Sequence, residues 1–321
     1  MPAPTPVPDH FLDRPFHRDE LVAAGLSPKL LLGRRFTRVF PSVWTATELT
    51  HAQRIEAARL SLTSRAALSH VTRIQALGLD RGETDRLHFT VLGDHHIDTE
   101  GIFLHRTVVM PPRDDVGVTP AAAFVQCCAD LRVIDLVVIG DWLLANDHAS
   151  VEEIQHAALK HPWRPGAQQS HAVVPWLDAR SRSPKESELR VLVHACGLPE
   201  PEVNAPVVDE SGREVATVDQ LFRRWRLALE YEGRQHAEDA RQFARDIGRY
   251  ADLRRLGVDY VQITAAMLAS PRATMMQVHS RLVERGYDGP APSFGPTWFA
   301  LFGPVTTVGT TQGAVRWVPP A

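Results

Sequence analysis

The stretch RLALEYEGRQH at residues 226–236 constrains the fold most strongly, because an apolar run leads directly into two carboxylates. The apolar run predicts a short buried strand, and residues two apart in a strand share one face. Glu230 and Glu232 therefore point the same way, while Leu229 and Tyr231 point the other way. Like charges this close repel each other, and burial raises the cost. Since LALEYE itself contains no Lys or Arg, we expect a neutralising cation from elsewhere.

A divalent metal ion is the first hypothesis for that cation, because Mg²⁺ and Mn²⁺ prefer carboxylate and water ligands. Asp219 lies eleven residues before Glu230, at the end of the preceding predicted strand, and a hairpin of that length brings the two side chains opposite each other. Together with Glu232 they would hold an ion that activates water and stabilises charge on a phosphate. The alternative is an exposed strand end with two solvated acids.

The order of predicted elements from residue 183 onward is helix, three strands, helix, strand and helix. SPKESELRVLVHACGL predicts a helix capped by Ser183, and EVNAPVVDESGREVATVD predicts two strands around a turn. RLALEY is the third strand, residues 238–256 have apolar side chains at helical spacing, and VDYVQIT is the last strand. This order predicts an α/β (α+β) protein with a small mixed sheet flanked by helices.

The N-terminal part predicts a winged-helix-like unit. A helix ends at Gly25, a second begins at Ser27 and Pro28, and RRFTRVFPSVW then alternates like a strand. Three arginines form a cationic cluster at the end of the second helix and on the wing, and they either contact DNA phosphates or are simply solvated. These arginines are Arg34, Arg35 and Arg38.

The block between these two parts is predicted to be mixed α/β without an assignable fold. It has a helix over residues 50–79, then strands over 86–93 and 102–109 that are joined by a polar turn containing His95 and His96. A metal site at that turn is an alternative to a solvated turn. The predicted division is a flexible arm (1–15), the winged-helix-like unit (16–48), the middle domain (49–178), the sheet domain (179–289) and a C-terminal tail (290–321).

Composition restricts the partners. The formal net charge is −3 at pH 7, so any contact with nucleic acid must use a local basic patch. The three cysteines lack paired spacing and are predicted to be buried free thiols, not a disulfide framework or a zinc finger. Because no apolar run reaches the roughly 18 residues of a membrane span, we expect no membrane partner and a cytoplasmic protein.

Several motifs resemble a known superfamily. SPKESELR, TVDQ, LEYEGRQH and QFARDIGRY are similar to the very-short-patch-repair branch of the PD-(D/E)XK nucleases, which is common in actinobacterial proteins. FHRDELVAAGLSPKLLLGRRFTRVFPSVW and ALSHVTRIQALGL resemble the helix-turn-helix front half that often precedes this domain and is similar to AbiEi-type antitoxins. The resemblance covers most of residues 16–270 and is strongest over 184–264. It implies a restriction-endonuclease-like fold for the C-terminal domain.

The resemblance also implies roles for individual residues. Asp219 and Glu230 match the metal-binding acids for Mg²⁺ or Mn²⁺, and Glu186 matches an acid on the first helix that often completes the metal site. Gly233 matches a glycine of the branch. His236 matches a histidine of the branch. Because position 232 lacks the superfamily's lysine, the attacking water would be positioned by Gln235 or His236.

Some of these residues have structural alternatives. Glu186 stands three positions after Ser183 and completes a capping box without any metal. His236 caps the following helix in the alternative interpretation. Glu232 occupies the position of the consensus lysine and would act as a ligand or a base. Gln262 stands where this branch more often has an arginine.

Two functions of different classes follow from these observations. The first is a metal-dependent endodeoxyribonuclease that hydrolyses DNA phosphodiester bonds in repair or defence. The alternative is an antitoxin-type DNA-binding transcriptional regulator whose nuclease-like domain is inactive, which the residues at positions 232 and 262 favour. Both imply DNA as partner, both allow a homodimer, and the antitoxin resemblance implies an unidentified partner toxin. A protein-interaction module without nucleic-acid contact is the third interpretation, favoured by the negative net charge.

Overall fold

The computed structural model describes residues 6–62, 66–94, 98–232 and 240–305, with the backbone alone for 240–247. Gly233, Gln235, His236 and the turn histidines at positions 95 and 96 lie outside the described residues. The chain forms two compact units, Met1–Gln126 and Cys127–Ala321. The boundary between the units falls inside the predicted middle block of residues 49–178.

The first unit contains short secondary-structure elements, followed along the chain by the strands and helices of a second sheet. Its strands are β1 (Phe16–His17), β2 (Thr37–Phe40), β3 (Val43–Thr45), β4 (Ala66–Leu68), β5 (Leu87–Leu92) and β6 (Ile102–Thr107). Its helices are α1 (Arg18–Ala23), α2 (His51–Ser61), α3 (His70–Gln75) and α4 (Pro120–Cys127), together with 3-10 helices at Asp9–Phe11 and Pro28–Leu32.

The predicted winged-helix-like unit contains α1, the 3-10 helix Pro28–Leu32 and an antiparallel sheet in the order β1-β3-β2. The second predicted helix is only a 3-10 helix of five residues, with Ser27 as its cap at one end and Gly33 at the other. Its three leucines do not form one apolar face, since Leu31 is buried and Leu32 is 88% exposed. The winged-helix-like unit packs around an apolar core that includes Phe11, Phe16 and Phe36.

The second sheet of the compact unit Met1–Gln126 has the order β4-β5-β6, and it differs from two of the sequence predictions. The helix predicted over residues 50–79 is interrupted, because Ala66–Leu68 pairs antiparallel with β5. Strands at 86–93 and 102–109 are present, but they pair in parallel, with Leu87 opposite Ile102. The two strands therefore do not form an antiparallel hairpin. The apolar face of the sheet, with Leu87 and Phe89, packs on Ile55 of α2.

The second unit begins with a set of helices and ends with the predicted sheet domain. Its helices are α5 (Val133–Ala145), α6 (Val151–Lys160), α7 (Ala167–Val173), α8 (Pro184–Ala195), α9 (Ala240–Arg255), α10 (Ala265–Leu268), α11 (Pro271–Glu284) and α12 (Pro296–Ala300). Its strands are β7 (Glu202–Val208), β8 (Glu214–Phe222), β9 (Leu227–Glu232) and β10 (Asp259–Thr264), and it has 3-10 helices at Val174–Trp176 and Arg223–Trp225.

The sheet of the second unit has the order β10-β9-β8-β7. Strands β7, β8 and β9 are antiparallel, and β10 joins β9 in parallel after the crossover through α9. This is the predicted order of helix, three strands, helix and strand. The helix α9 packs on β8 and contributes Leu253 to a core with Val218 and Ala228. The mixed content of helices and mixed sheets confirms the predicted α+β class.

The helix α5 explains why residues 133–178 belong with the C-terminal unit. It is apolar on nearly all sides and packs against α8. Asp141 of α5 is fully buried and pairs with Arg190 of α8, with 2.8 Å between Oδ2 and Nη2. The other oxygen of Asp141 accepts a hydrogen bond from the backbone N–H of Asp178. The helix is therefore joined to its neighbours by apolar contact and by one ion pair.

The three cysteines, Cys127, Cys128 and Cys196, are buried free thiols, which confirms their prediction. Burial raises the pKa of each thiol, so none of them is a thiolate at neutral pH. Within the described residues, no helix combines the length and the apolar character needed to span a lipid bilayer.

Candidate functional site

The strands β8 and β9 bring Asp219 and Glu230 together. The last pair in the β8–β9 register is Gln220 with Leu229, so Asp219 and Glu230 stand one step beyond it. The Asp219 carboxylate accepts a hydrogen bond from the backbone N–H of Tyr231, with 2.7 Å between Oδ2 and N. This side chain therefore takes the strand donor that the next ladder pair would otherwise use. The hairpin spacing seen in the sequence thus places the two acids side by side.

Glu230 is buried with only half of its carboxylate satisfied. The residue is 3% exposed, and Nη2 of Arg249 on α9 lies 3.1 Å from Oε2. Oε1 is also buried and has no hydrogen-bond partner among the described residues. The guanidinium of Arg249 also lies over the ring of Tyr250, with 5.2 Å between Cζ and the ring centroid. The cation that the strand lacks is thus supplied in part by the following helix.

The electrostatics of the pair follow from burial and from mutual repulsion. The pKa of Glu230 is raised to about 7, chiefly by burial and then by Asp219, while Arg249 opposes the rise. The pKa of Asp219 is raised to about 6, again chiefly by burial, against the hydrogen bond from the Tyr231 N–H. The nearby Glu186 raises both pKa values further. The two carboxyl groups therefore change charge close to neutral pH.

Glu186 lies at the start of α8 and is held by hydrogen bonds. Its backbone N–H donates to Oγ of Ser183 at 3.2 Å, as the predicted cap requires. Its carboxylate does not return to the Ser183 N–H; Oε2 accepts instead from the backbone N–H of Arg182 and from Nδ2 of Asn204, both at 2.9 Å. Ser183 therefore caps the helix as predicted, but Glu186 does not complete the capping box. The same carboxylate contributes negative charge to the site.

The donor atoms suit a divalent cation, but the acids do not form a closed ligand set. The unpartnered Oε1 of Glu230 and the neighbouring carboxylate of Asp219 are oxygen ligands of the type that Mg²⁺ and Mn²⁺ bind. However, the carboxylates of the three acids do not all lie within 4.8 Å of one another. Among the described residues, the one group of His, Cys, Asp and Glu that meets this distance consists of His70, His88 and His105.

Glu232 is exposed and is held at the edge of the site. Its Oε1 accepts a hydrogen bond from Nε2 of Gln262 at 2.6 Å and another from the hydroxyl of Tyr250 at 3.2 Å. Gln262 of β10 stands opposite Glu230 in the parallel register. The Tyr250 hydroxyl lies 3.5 Å from Nη2 of Arg249. Hydrogen bonds therefore connect the two glutamates of β9 through two neighbouring residues of α9.

The other predicted site residues are distributed differently. Gln235 and His236 lie outside the described residues, so their predicted role with water stays a prediction. The three predicted DNA-binding arginines are exposed on the first unit. Arg38 donates from Nε to the backbone oxygen of Phe40 at 3.4 Å.

Sequence reasoning missed two features. Arg249 was not identified as the partner of Glu230, because this pairing depends on how α9 packs on the sheet. The group of His70, His88 and His105 was not identified at all. The sequence carries only a partial signal, since His88 and His105 lie within the two predicted strands but meet only through the parallel register.

Comparisons with known proteins leave the function open. The chain is similar to two proteins of Mycobacterium tuberculosis, from strains CDC 1551 and H37Rv, and each is named only as an uncharacterized protein. Each is 28% identical over 229 residues, which is 70% of this chain and 84% of the relative. No protein-family model matches the chain. No solved structure matches it either.

Proposed function

We propose that the protein is a metal-dependent endodeoxyribonuclease that hydrolyses phosphodiester bonds in DNA. The observation that carries this proposal is the buried Oε1 of Glu230, which has no partner among the described residues and stands beside Asp219. A buried carboxylate oxygen without a hydrogen bond costs free energy, and such costs are concentrated at functional sites. The resemblance to the PD-(D/E)XK superfamily assigns both acids to metal binding.

In this proposal the acidic residues of β8 and β9 have different roles. Asp219 and Glu230 would hold Mg²⁺ or Mn²⁺, and Glu186 would add negative charge that favours the cation. When bound, such an ion lowers the pKa of a coordinated water and stabilises charge on the phosphate. Glu232, oriented by Tyr250 and Gln262, accepts the proton of the attacking water.

The DNA would be held by a second region. Arg34, Arg35 and Arg38 are exposed and would contact phosphates, which position the duplex without specifying sequence. A homodimer and a partner toxin remain predictions of the resemblance. The proposal places the protein in the cytoplasm, where bacterial DNA is found.

A DNA-binding regulator of antitoxin type is the second candidate, and one observation favours it. Arg249 already pairs with Glu230, and the raised pKa values let the acids lose charge without a metal. A nuclease-like domain that has lost its ion would be stabilised in this way. In that case the protein binds DNA through the first unit and does not cut it.

A plasmid-nicking assay separates the candidates. Supercoiled DNA is incubated with the protein and Mg²⁺ or Mn²⁺, alongside the variants Asp219→Asn and Glu230→Gln. The control is Glu210→Gln, which changes an exposed acid in the β7–β8 turn. We expect nicking by the parent and the control, and a loss of about a hundredfold or more in both site variants. Circular dichroism checks that all variants fold.

The other outcomes contradict the nuclease. DNA that is retarded in a gel but not cut, with retardation reduced by Arg34→Ala and Arg35→Ala, supports the regulator. If the DNA is neither cut nor retarded, the result supports the protein-interaction module. Nicking that persists in both site variants shows that the acids of β8 and β9 are not the reaction centre.

A further inference from the structure

Three histidines of the first unit converge at the second sheet. The parallel β5–β6 register places His88 opposite Phe103 and His105 opposite Thr90, so both histidines are on one face of the sheet. Nδ1 of His88 lies 2.9 Å from Nε2 of His105. His70, the first residue of α3, stacks on the His105 ring with 3.5 Å between centroids. The ligand atoms of the three side chains all lie within 4.8 Å of one another.

The backbone at His70 adopts an unfavourable conformation. Its φ is +52°, in the left-handed region that a residue with a side chain rarely occupies. The conformation is held by Gln126, whose Oε1 accepts from the His70 N–H at 3.3 Å. The amide of Gln126 in turn donates to Oγ1 of Thr90 at 3.1 Å. Strain that is supported by neighbouring residues is typical of functional sites, and here it accompanies a ring placed against the other two histidines.

The chemistry of the group suits a transition-metal ion. Imidazole binds such an ion through a ring-nitrogen lone pair, in its uncharged form. Imidazole nitrogen is a preferred ligand of Zn²⁺, Co²⁺, Ni²⁺ and Cu²⁺, whereas Mg²⁺ and Ca²⁺ prefer oxygen.

We propose that His70, His88 and His105 form a binding site for a transition-metal ion of the Zn²⁺ class. Three histidines with an open fourth position are an established ligand set for zinc. Zn–N bonds of about 2.0–2.1 Å place the ligand nitrogens of a tetrahedral site about 3.3 Å apart. The ligand nitrogens lie within 4.8 Å of one another, so metal binding would require a small rotation of the side chains to reach this spacing.

The hydroxyl of Ser69 orients His70 for this role. Its Oγ lies 2.9 Å from Nδ1 of His70. When Nδ1–H donates to this oxygen, the lone pair is on Nε2, which then becomes the metal ligand. The site is independent of the acids on β8 and β9, because every residue named here belongs to the first unit.

The test is a Co²⁺ titration of the untagged full-length protein. We expect one ion per chain, the intense visible absorption of tetrahedral Co²⁺, and displacement by Zn²⁺. We expect no sulfur-to-cobalt charge-transfer band, because the ligands are histidines and the cysteines are buried. Zn²⁺ should also raise the melting temperature of the protein, and a chelator should reverse this rise.

Variants locate the site. His88→Asn and His105→Asn should each weaken Co²⁺ binding by more than about 100-fold, beyond the loss that an outer-shell partner causes. The matched control is His156→Asn, which changes an exposed histidine on α6 and should bind Co²⁺ like the parent. The double variant His95→Asn with His96→Asn should also retain binding.

Three results would overturn the proposal. The first is the absence of tetrahedral absorption at one equivalent of Co²⁺ in the parent protein. The second is a charge-transfer band that shows cysteine ligation. The third is binding that survives in folded His88→Asn and His105→Asn, or that is lost in the 95/96 double variant instead. If the triad variants do not fold, the spectrum and the melting shift of the parent decide the question.

Discussion

At Glu230 two opposing effects act on one carboxylate. Burial and the neighbouring Asp219 disfavour its charged form, whereas Arg249 favours it through one hydrogen-bonded oxygen. The pKa of about 7 shows that the unfavourable effects are larger. A side chain in this balance is sensitive to pH and to any added cation. Its contribution to folding can therefore be measured separately from any activity.

The first prediction concerns the pH dependence of stability. The folded pKa of Glu230 is about 7 and its ordinary value is 4.5, so the folded state binds more protons between these values. The contribution of this group to stability is therefore lost as pH rises from about 4.5 to 7. At pH 8 we expect Glu230→Gln to have a larger free energy of unfolding than the parent, by on the order of 1–3 kcal/mol. At pH 4.5 the difference should be small.

Urea denaturation at both pH values measures this difference, with Glu210→Gln as the control that should follow the parent. If the acids bind a divalent cation, Mg²⁺ or Mn²⁺ at pH 8 should stabilise the parent and not Glu230→Gln. A stability difference that does not change with pH contradicts the assignment of a raised pKa to this residue.

Residue-level expectations from sequence had a clear limit at this site. The neighbouring positions of Asp219 and Glu230 were predictable, because hairpin length and strand alternation are local properties of the sequence. The partner Arg249 was not, because its position depends on the packing of α9 against the sheet. The histidine group depends on a parallel register and on an unusual backbone conformation at His70, and neither is visible in local periodicity.

At the scale of secondary-structure elements, helix α5 is unusual because it is almost entirely buried and still carries a charged residue. It is buried on nearly all sides, yet it carries Asp141, whose side chain is fully buried. Arg190 of α8 meets this charge with one nitrogen that also donates to the backbone oxygen of Trp176 at 2.7 Å. The ion pair therefore fixes how α5 and α8 pack, and α8 in turn carries Glu186 into the candidate site.

The second prediction tests this pair. Asp141→Ala leaves the Arg190 guanidinium buried without its carboxylate, so the free energy of unfolding should fall by about 3–5 kcal/mol. Arg213→Ala is the control, because Arg213 is 79% exposed in its ion pair with Asp209 and should change stability by less than about 1 kcal/mol. Chemical denaturation measures both. Equal effects in the two variants would show that the buried pair does not hold α5 to α8.

The elements that sequence predicted best have strong local signals. The order from α8 to β10 followed from caps, glycines and clear changes between helical and strand periodicity. The helix over residues 50–79 was wrong in part, because Ala66–Leu68 is short and apolar and suits either a helix or a strand until β5 pairs with it. The direction of β5 and β6 was also unpredictable, since strand alternation is the same in parallel and antiparallel pairs.

For the whole molecule, the division into units was less visible than the elements. The boundary lies at residues 126/127, within α4, and no loop-rich or proline-rich stretch marks it. It reflects long-range packing of α5 with α8, which no local composition reveals. Net charge, by contrast, is read directly from the sequence. A molecule with a formal charge of −3 repels DNA overall, so binding must depend on a local patch.

The third prediction follows from that charge. If Arg34, Arg35 and Arg38 contact phosphates, the logarithm of the DNA association constant should fall linearly with the logarithm of salt concentration, with a slope near −0.9 per contact. Arg34→Ala combined with Arg35→Ala should then reduce the slope by about 2 and weaken binding to all sequences alike. Fluorescence anisotropy over a range of salt concentrations measures the slope. Arg213→Ala, which removes one highly exposed arginine from the other unit, is the control and should leave the slope unchanged. An unchanged slope in the double variant would show that the cluster is solvated, and that any DNA contact belongs to another part of the chain.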